Sequence, residues 1–236
     1  NLLNNIRSEH YIAGIDHFFS ADLKANIEVF YKKYKDYPVW TDIPTYILID
    51  GGAEFGPNLV GQASSAGYGY VQGIDFSIQK KLSQKGLYGM LNYSYIHSGF
   101  TALAGNEKPG AFDPGNQFTL IAGYQFDDGW LAGLKIRYSG GRPYTPINTV
   151  ASEQVNRAVF ATDDFNSSRY PYYMRIDLRV DKKFDFKSAS LVAYLEVQNL
   201  FDRENIYSYY WNEDYNELST IYQWAFFPVG GISLQF

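Results

Sequence analysis

Cysteine is absent from the 236 residues. That removes a disulfide scaffold, a thiolate metal centre and a cysteine nucleophile. Long apolar runs are missing too. A membrane-crossing helix needs ~20 consecutive apolar residues, and no stretch of the chain supplies them. Basic charge is in deficit: 20 Lys and Arg stand against 25 Asp and Glu, for a net charge of −5. Nucleic acid as a partner calls for a basic patch and is disfavoured. The three histidines, His10, His17 and His97, are dispersed and fit packed or interfacial roles better than metal ligation. The acidic pairs Asp163-Asp164 and Glu213-Asp214 lack the spacing of a defined cation site. No Ser/His signature of a hydrolase is present. The Asn166-Ser167-Ser168 triplet matches a glycosylation site and is read as a chance match. The expectation is a chain with no catalytic residues, no metal and no cofactor.

What is abundant is aromatic: 22 Tyr and 17 Phe, with 21 Gly. Period-2 alternation recurs along the chain, which is the signature of strands with two unlike faces. Leu23, Ala25, Ile27, Val29 and Tyr31 form an apolar track, with Lys24, Asn26, Glu28 and Lys32 on the other side. The same split separates Leu91, Tyr93 and Tyr95 from Asn92 and Ser94. Phe118, Leu120, Ala122, Tyr124 and Phe126 stand against Gln117, Thr119 and Gln125. Trp130, Ala132, Leu134, Ile136 and Tyr138 oppose Lys135, Arg137 and Ser139. Met174, Ile176, Leu178 and Val180 oppose Arg175, Asp177, Arg179 and Asp181. Ala193, Leu195 and Val197 oppose Tyr194, Glu196 and Gln198, and Ile232, Leu234 and Phe236 oppose Ser233 and Gln235. Segments at about 7–19 and 67–80 read as two further strands, the second with Ile74, Phe76 and Ile78 opposed to Asp75 and Ser77.

Ionisable residues therefore stay on one face in segment after segment. On a lipid-facing surface an Arg or Lys at mid-bilayer costs ~2–4 kcal/mol, and this cost accounts for the pattern. Aromatics gather at strand ends (Tyr31, Tyr95, Phe126, Trp130, Tyr138, Phe236), as in the interfacial girdles of membrane barrels. A soluble sandwich would place its apolar face in one shared core. The fold class expected is all-β, an antiparallel transmembrane β-barrel wall of about nine strands.

Connections alternate in length. Short turns fall at Ser20-Ala21-Asp22, Ser83-Gln84-Lys85-Gly86, Asp127-Asp128-Gly129 and Lys187-Ser188. Long ones fall at about 35–66, 99–115 and 144–168, with a shorter connection near 212–219. Short periplasmic turns and long extracellular loops orient such barrels, so the first and last strands descend toward the periplasm. Bacterial single-chain barrels are even-stranded, and the chain starts at Asn1 with no signal peptide. Residues 1–236 are expected to be one barrel portion of something longer, whose other strands close the wall.

Several stretches resemble the C-terminal part of TonB-dependent outer-membrane receptors. They are Gly140-Gly141-Arg142-Pro143-Tyr144-Thr145-Pro146, the strand Tyr173-Met174-Arg175-Ile176-Asp177-Leu178-Arg179, and Asn199-Leu200-Phe201-Asp202. Gly73-Ile74-Asp75 and the terminal Gly231-Ile232-Ser233-Leu234-Gln235-Phe236 add to the resemblance, which covers about two-thirds of the chain. It implies the last nine of about 22 strands closed around a plug, with plug and earlier strands absent from this chain. It also implies active import across the outer membrane of a Gram-negative bacterium, multi-pass, through a TonB complex acting on the plug. The substrate class would be a scarce nutrient such as a metal chelate, cobalamin or oligosaccharide. The alternative is a passive porin or structural barrel; an outer-membrane enzyme or adhesin and a soluble β-domain are more distant rivals.

Two residue sets are candidates for function. Trp40, Asp42 and Tyr46 in the first long loop, with Tyr210 and Trp211 near the last, offer stacking faces and hydroxyls for a small-molecule or glycan ligand; Tyr207 and Tyr209 fit the upper girdle better. Lys135, Arg137, Arg175, Asp177, Arg179, Asp181 and Glu196 would line the lumen, either as a wall that grips the plug or as ordinary hydrated wall. A hairpin centred on 187–188 sets Arg179 opposite Glu196, a pair worth roughly 0.2–1 kcal/mol.

Overall fold

The computed structural model describes residues 3–51, 61–83 and 86–236. Nine strands make one antiparallel wall in which spatial order follows chain order. They are β1 Arg7–Phe18, β2 Leu23–Trp40, β3 Ala63–Lys80, β4 Gly86–Thr101, β5 Gly115–Gln125, β6 Trp130–Ser139, β7 Tyr173–Asp185, β8 Ser190–Gln198 and β9 Phe227–Gln235. Each strand hydrogen-bonds the next, and the register keeps like faces together. Leu134 stands opposite Ala122 on one side and Leu178 on the other, and Ile136 opposite Leu120 and Ile176. On the apolar face of the described wall, no Asp, Glu, Lys or Arg occurs between Lys33 at one margin and Lys80 and Lys182 at the other. Lys182 sits at the lower edge with its ammonium 5.0 Å from the Trp130 ring centre, keeping the charged head at the aromatic margin.

This face is left uncovered by the chain itself. Ile15 is 69% exposed, Leu195 59% and Ile232 74%. Among the described residues the buried apolar cluster is small, Val39, Ile47, Phe100 and Ala102, and it lies at the long-loop end rather than between layers. A water-soluble domain of this size would bury a central core, so the soluble rival fails on packing. An apolar surface this extended marks a face built to be covered, by membrane or by another protein surface.

The short turns form where the sequence places them. Ser20 donates to Asp22 at 2.6 Å inside the first. At Asp127-Asp128-Gly129 two left-handed residues, Asp128 at φ 60° and Gly129 at φ 74°, reverse the chain. The backbone of Phe186 bonds that of Ala189, closing the turn around Lys187-Ser188. Of the turn expected over Ser83–Gly86, Gln84 and Lys85 lie outside the described residues.

The long connections differ from expectation. The loop expected over 35–66 is shorter, because β2 runs on to Trp40 and β3 starts at Ala63. A bulge at Asp36, held at φ 62°, shifts the register between Lys35 and Tyr37. A bulge inserts one extra residue and breaks period-2 alternation, so the pattern ends before the strand does. Similarly, β4 continues to Thr101, and its last residues Phe100 and Thr101 pair antiparallel with Lys108 and Glu107. The connection after β6 carries a short helix, Thr149–Val155, capped by Asn148, and a two-residue pairing of Pro143–Tyr144 with Ser168–Arg169. The connection expected near 212–219 is only the tip of a hairpin, Ile206–Asn212 with Glu217–Tyr222, which pairs with itself and stands apart from the wall.

Candidate functional site

The polar face concentrates charge on β6, β7 and β8. Lys135 lies directly opposite Asp177, Arg137 opposite Arg175, and Arg179 opposite Glu196. The Arg179–Glu196 pairing follows the expected register, yet Glu196 is the lesser partner, at 3.3 Å. Asp181, two residues along the same strand and therefore on the same face, holds Arg179 at 2.7 Å, and the guanidinium lies 4.0 Å from the Tyr194 ring centre. Arg175 is held by Asp177 at 2.8 Å. Arg179, Asp181 and Glu196 are partly exposed, so each of the two Arg179 pairs is worth no more than ~1 kcal/mol.

Asp177 differs from its neighbours. It is buried, and its other oxygen accepts the backbone N–H of Asn199 at 3.0 Å. Asn199 itself is buried at φ 53°. Its amide donates to the carbonyls of Arg203 (3.0 Å) and Trp224 (3.2 Å), and its oxygen accepts the Arg203 N–H at 3.1 Å. Asp202 receives Phe226 N–H at 2.7 Å. The Asn199-Leu200-Phe201-Asp202 stretch is thus a clamp joining both roots of the connection between β8 and β9. Beyond it, Asn205 bonds both backbone groups of Met174, at 3.0 and 2.9 Å, in place of a strand.

That clamp carries the hairpin over the polar face, where two adjoining recesses open. One, of about 340 Å³, is bordered by Arg137, Arg142, Tyr170, Tyr173, Tyr207 and Gln223. The other, of about 330 Å³, shares Tyr173, Tyr207 and Gln223 and adds Arg175, Tyr222 and Trp224. Arg142 donates to the Tyr207 carbonyl at 3.0 Å and lies 5.0 Å from the Tyr170 ring centre. Tyr144, Tyr170 and Tyr209 stack above, with ring centres 4.2 and 5.2 Å apart.

The loop candidates fare unevenly. Trp40 and Tyr46 are buried against each other at 5.1 Å, and Tyr46 also meets Phe165 at 5.1 Å. Trp211 is buried, whereas Asp42 and Tyr210 are exposed. The rings expected to offer stacking faces are therefore mostly packing inside the loop layer. Nothing in residue type alone marks Arg142, Tyr173, Tyr207, Tyr222 and Gln223 as ligand-facing. Arg142 sits within the Gly140–Pro146 stretch already singled out, so its position carried a usable signal.

A second cluster locks three connections together. Asp50 accepts the Ile47 N–H at 3.1 Å and the Asn166 amide at 2.8 Å, and Asn166 also reaches the Pro109 carbonyl at 3.2 Å. Lys108 donates to the Thr45 carbonyl at 3.0 Å. Burial pushes the Asp50 carboxyl up to about 6. Asp113, also buried, accepts from Ser98 N–H at 2.8 Å and meets Arg169 at 3.3 Å and His97 at 3.4 Å.

Comparison with known proteins comes to the same architecture. A family profile described as TonB dependent receptor-like, beta-barrel matches residues 2–200. The ferripyoverdine receptor of the outer membrane of Pseudomonas aeruginosa superposes with a TM-score of 0.69 at 17% identity, over 100% of this chain and 28% of that one. The ferric yersiniabactin uptake receptor from Yersinia pestis gives 0.63 at 19% identity, over 97% and 29%. The ferric-catecholate import receptor from E. coli K12 gives 0.62 at 14% identity, over 97% and 27%. At these identities the likeness is one of fold. The chain spans under a third of each of those proteins.

Proposed function

Because this chain belongs to the TonB-dependent receptor-like β-barrel family, we propose that it forms the closing nine strands of an outer-membrane receptor that actively imports a scarce nutrient. In this reading the apolar face meets lipid and the polar face looks into a lumen filled by a plug that a TonB complex moves. The long connections reach the cell exterior, and the chain performs no chemistry. The carrying observation is the wall's one-sided charge, strand by strand, over a face that stays uncovered. Metal chelates head the candidate nutrients, since the neighbours above are named for ferric-chelate uptake; cobalamin and oligosaccharides follow.

The test is uptake in the parent bacterium. Deleting the receptor should abolish growth on one limiting chelate, cobalamin or oligosaccharide supplied at low concentration. A protonophore should stop uptake in cells that carry the receptor. Uptake that continues after the inner membrane is de-energised would return the chain to the passive-porin alternative.

A further inference from the structure

Arg137 and Arg175 occupy directly opposed positions on β6 and β7. Like charges so placed destabilise a sheet. Arg175 has Asp177 beside it, whereas Arg137 points from an exposed position and has no hydrogen-bond or ion-pair partner among the described residues. Arg142 borders the same recess as Arg137. No Asp or Glu lines either recess, on a chain whose acidic residues outnumber its basic ones by five, 25 against 20. A concave site with one sign of charge focuses its field on whatever enters. The recesses, of about 340 and 330 Å³, fall in the ~300–1,000 Å³ range of small-molecule sites.

We propose that Arg137, Arg142 and Arg175 form a seat for an oxyanion group, carboxylate or phosphate, on the small molecule that the receptor takes up. Guanidinium groups present paired donors that match such oxygens two at a time. An anion here relieves the repulsion between Arg137 and Arg175. Tyr173 and Tyr207 supply hydroxyls and ring edges around it, and Gln223 an amide. The ligand charge is then read by the wall strands, while the loops above shape its body. The assignment rests on the import reading and sharpens it to an anionic ligand.

The experiment uses the purified full-length receptor in detergent, titrated by calorimetry at low ionic strength with inorganic pyrophosphate and, separately, malonate. At least one should bind, and which one distinguishes phosphate from carboxylate. Arg137→Gln with Arg142→Gln should weaken that binding tenfold or more. Arg137→Lys should keep part of it, and Arg157→Gln, outside both recesses, should leave it unchanged. If the double variant fails to fold, Arg137→Gln alone carries the test, since that side chain supports no other group. Failure of both anions to bind the folded receptor, or equal affinity in the Gln variants, overturns the seat. Neither result touches the import reading, which stands or falls on energised uptake.

Discussion

Leu134 offers the most direct measurement of what the apolar face is for. On β6 the outward residues run from Trp130 to Tyr138. Eight steps of ~3.3 Å give about 26 Å of strand, or about 20 Å of depth at a tilt of roughly 40°. Leu134 lies midway, roughly 10 Å from either aromatic margin, with Ala122 and Leu178 as its cross-strand neighbours. Leu134→Arg should therefore cost ~2–4 kcal/mol, the mid-bilayer figure. Tyr138→Arg, at the margin, should cost ~0–1 kcal/mol, with Ile136→Arg between them. Lys135→Arg, one residue along and on the other face, should stay within ~0.5 kcal/mol. The assay is reversible denaturant unfolding of the full-length barrel in lipid vesicles. A Leu134→Arg protein as stable as the wild type, or a Tyr138→Arg protein equally damaged, would refute the assignment of this face to hydrocarbon.

Two further outcomes follow from the connections. Asn199→Ala strips partners from the Arg203 N–H and the Arg203 and Trp224 carbonyls and strains a left-handed residue, for a combined loss of ~2–4 kcal/mol. Limited proteolysis should show faster cutting between Asn199 and Phe226, and Asn199→Gly should recover only the backbone part. The Asp50 carboxyl, raised by burial to about 6 from the ordinary carboxylate range, binds its proton more tightly in the closed loops than in opened ones. Its contribution is complete below about pH 4 and is lost as pH rises through about 6. Hydrogen-exchange protection in residues 41–51 and 102–114, taken relative to the intrinsic exchange rate at each pH, should therefore fall between pH 4 and 7, and Asp50→Asn should flatten that profile.

The wall was legible because its physics is local and periodic. Wherever one face meets lipid, every second residue is constrained, and a hairpin of known centre fixes cross-strand partners such as Arg179 and Glu196. The connections obey no such period. β2 passed out of view at the Asp36 bulge, although the strand itself continues to Trp40. The hairpin over Ile206–Tyr222 leaves no periodic signal because its strands are short and pair only with each other. Trp40, Tyr46 and Trp211 invited a ligand role by residue type, but burial uses their rings for packing. The arginine seat needed the third dimension: Arg142 and Tyr207 are 65 residues apart and meet only when the clamp brings the hairpin back.

Asn205 has an implication for how such a molecule diversifies. By offering one amide to both backbone groups of Met174, it ends the ladder without leaving ragged bonds behind. Whatever length or sequence is inserted past that point, the membrane portion below keeps its full complement of pairings. Variation in the connection between β8 and β9 is thereby insulated from the integrity of the staves that hold it.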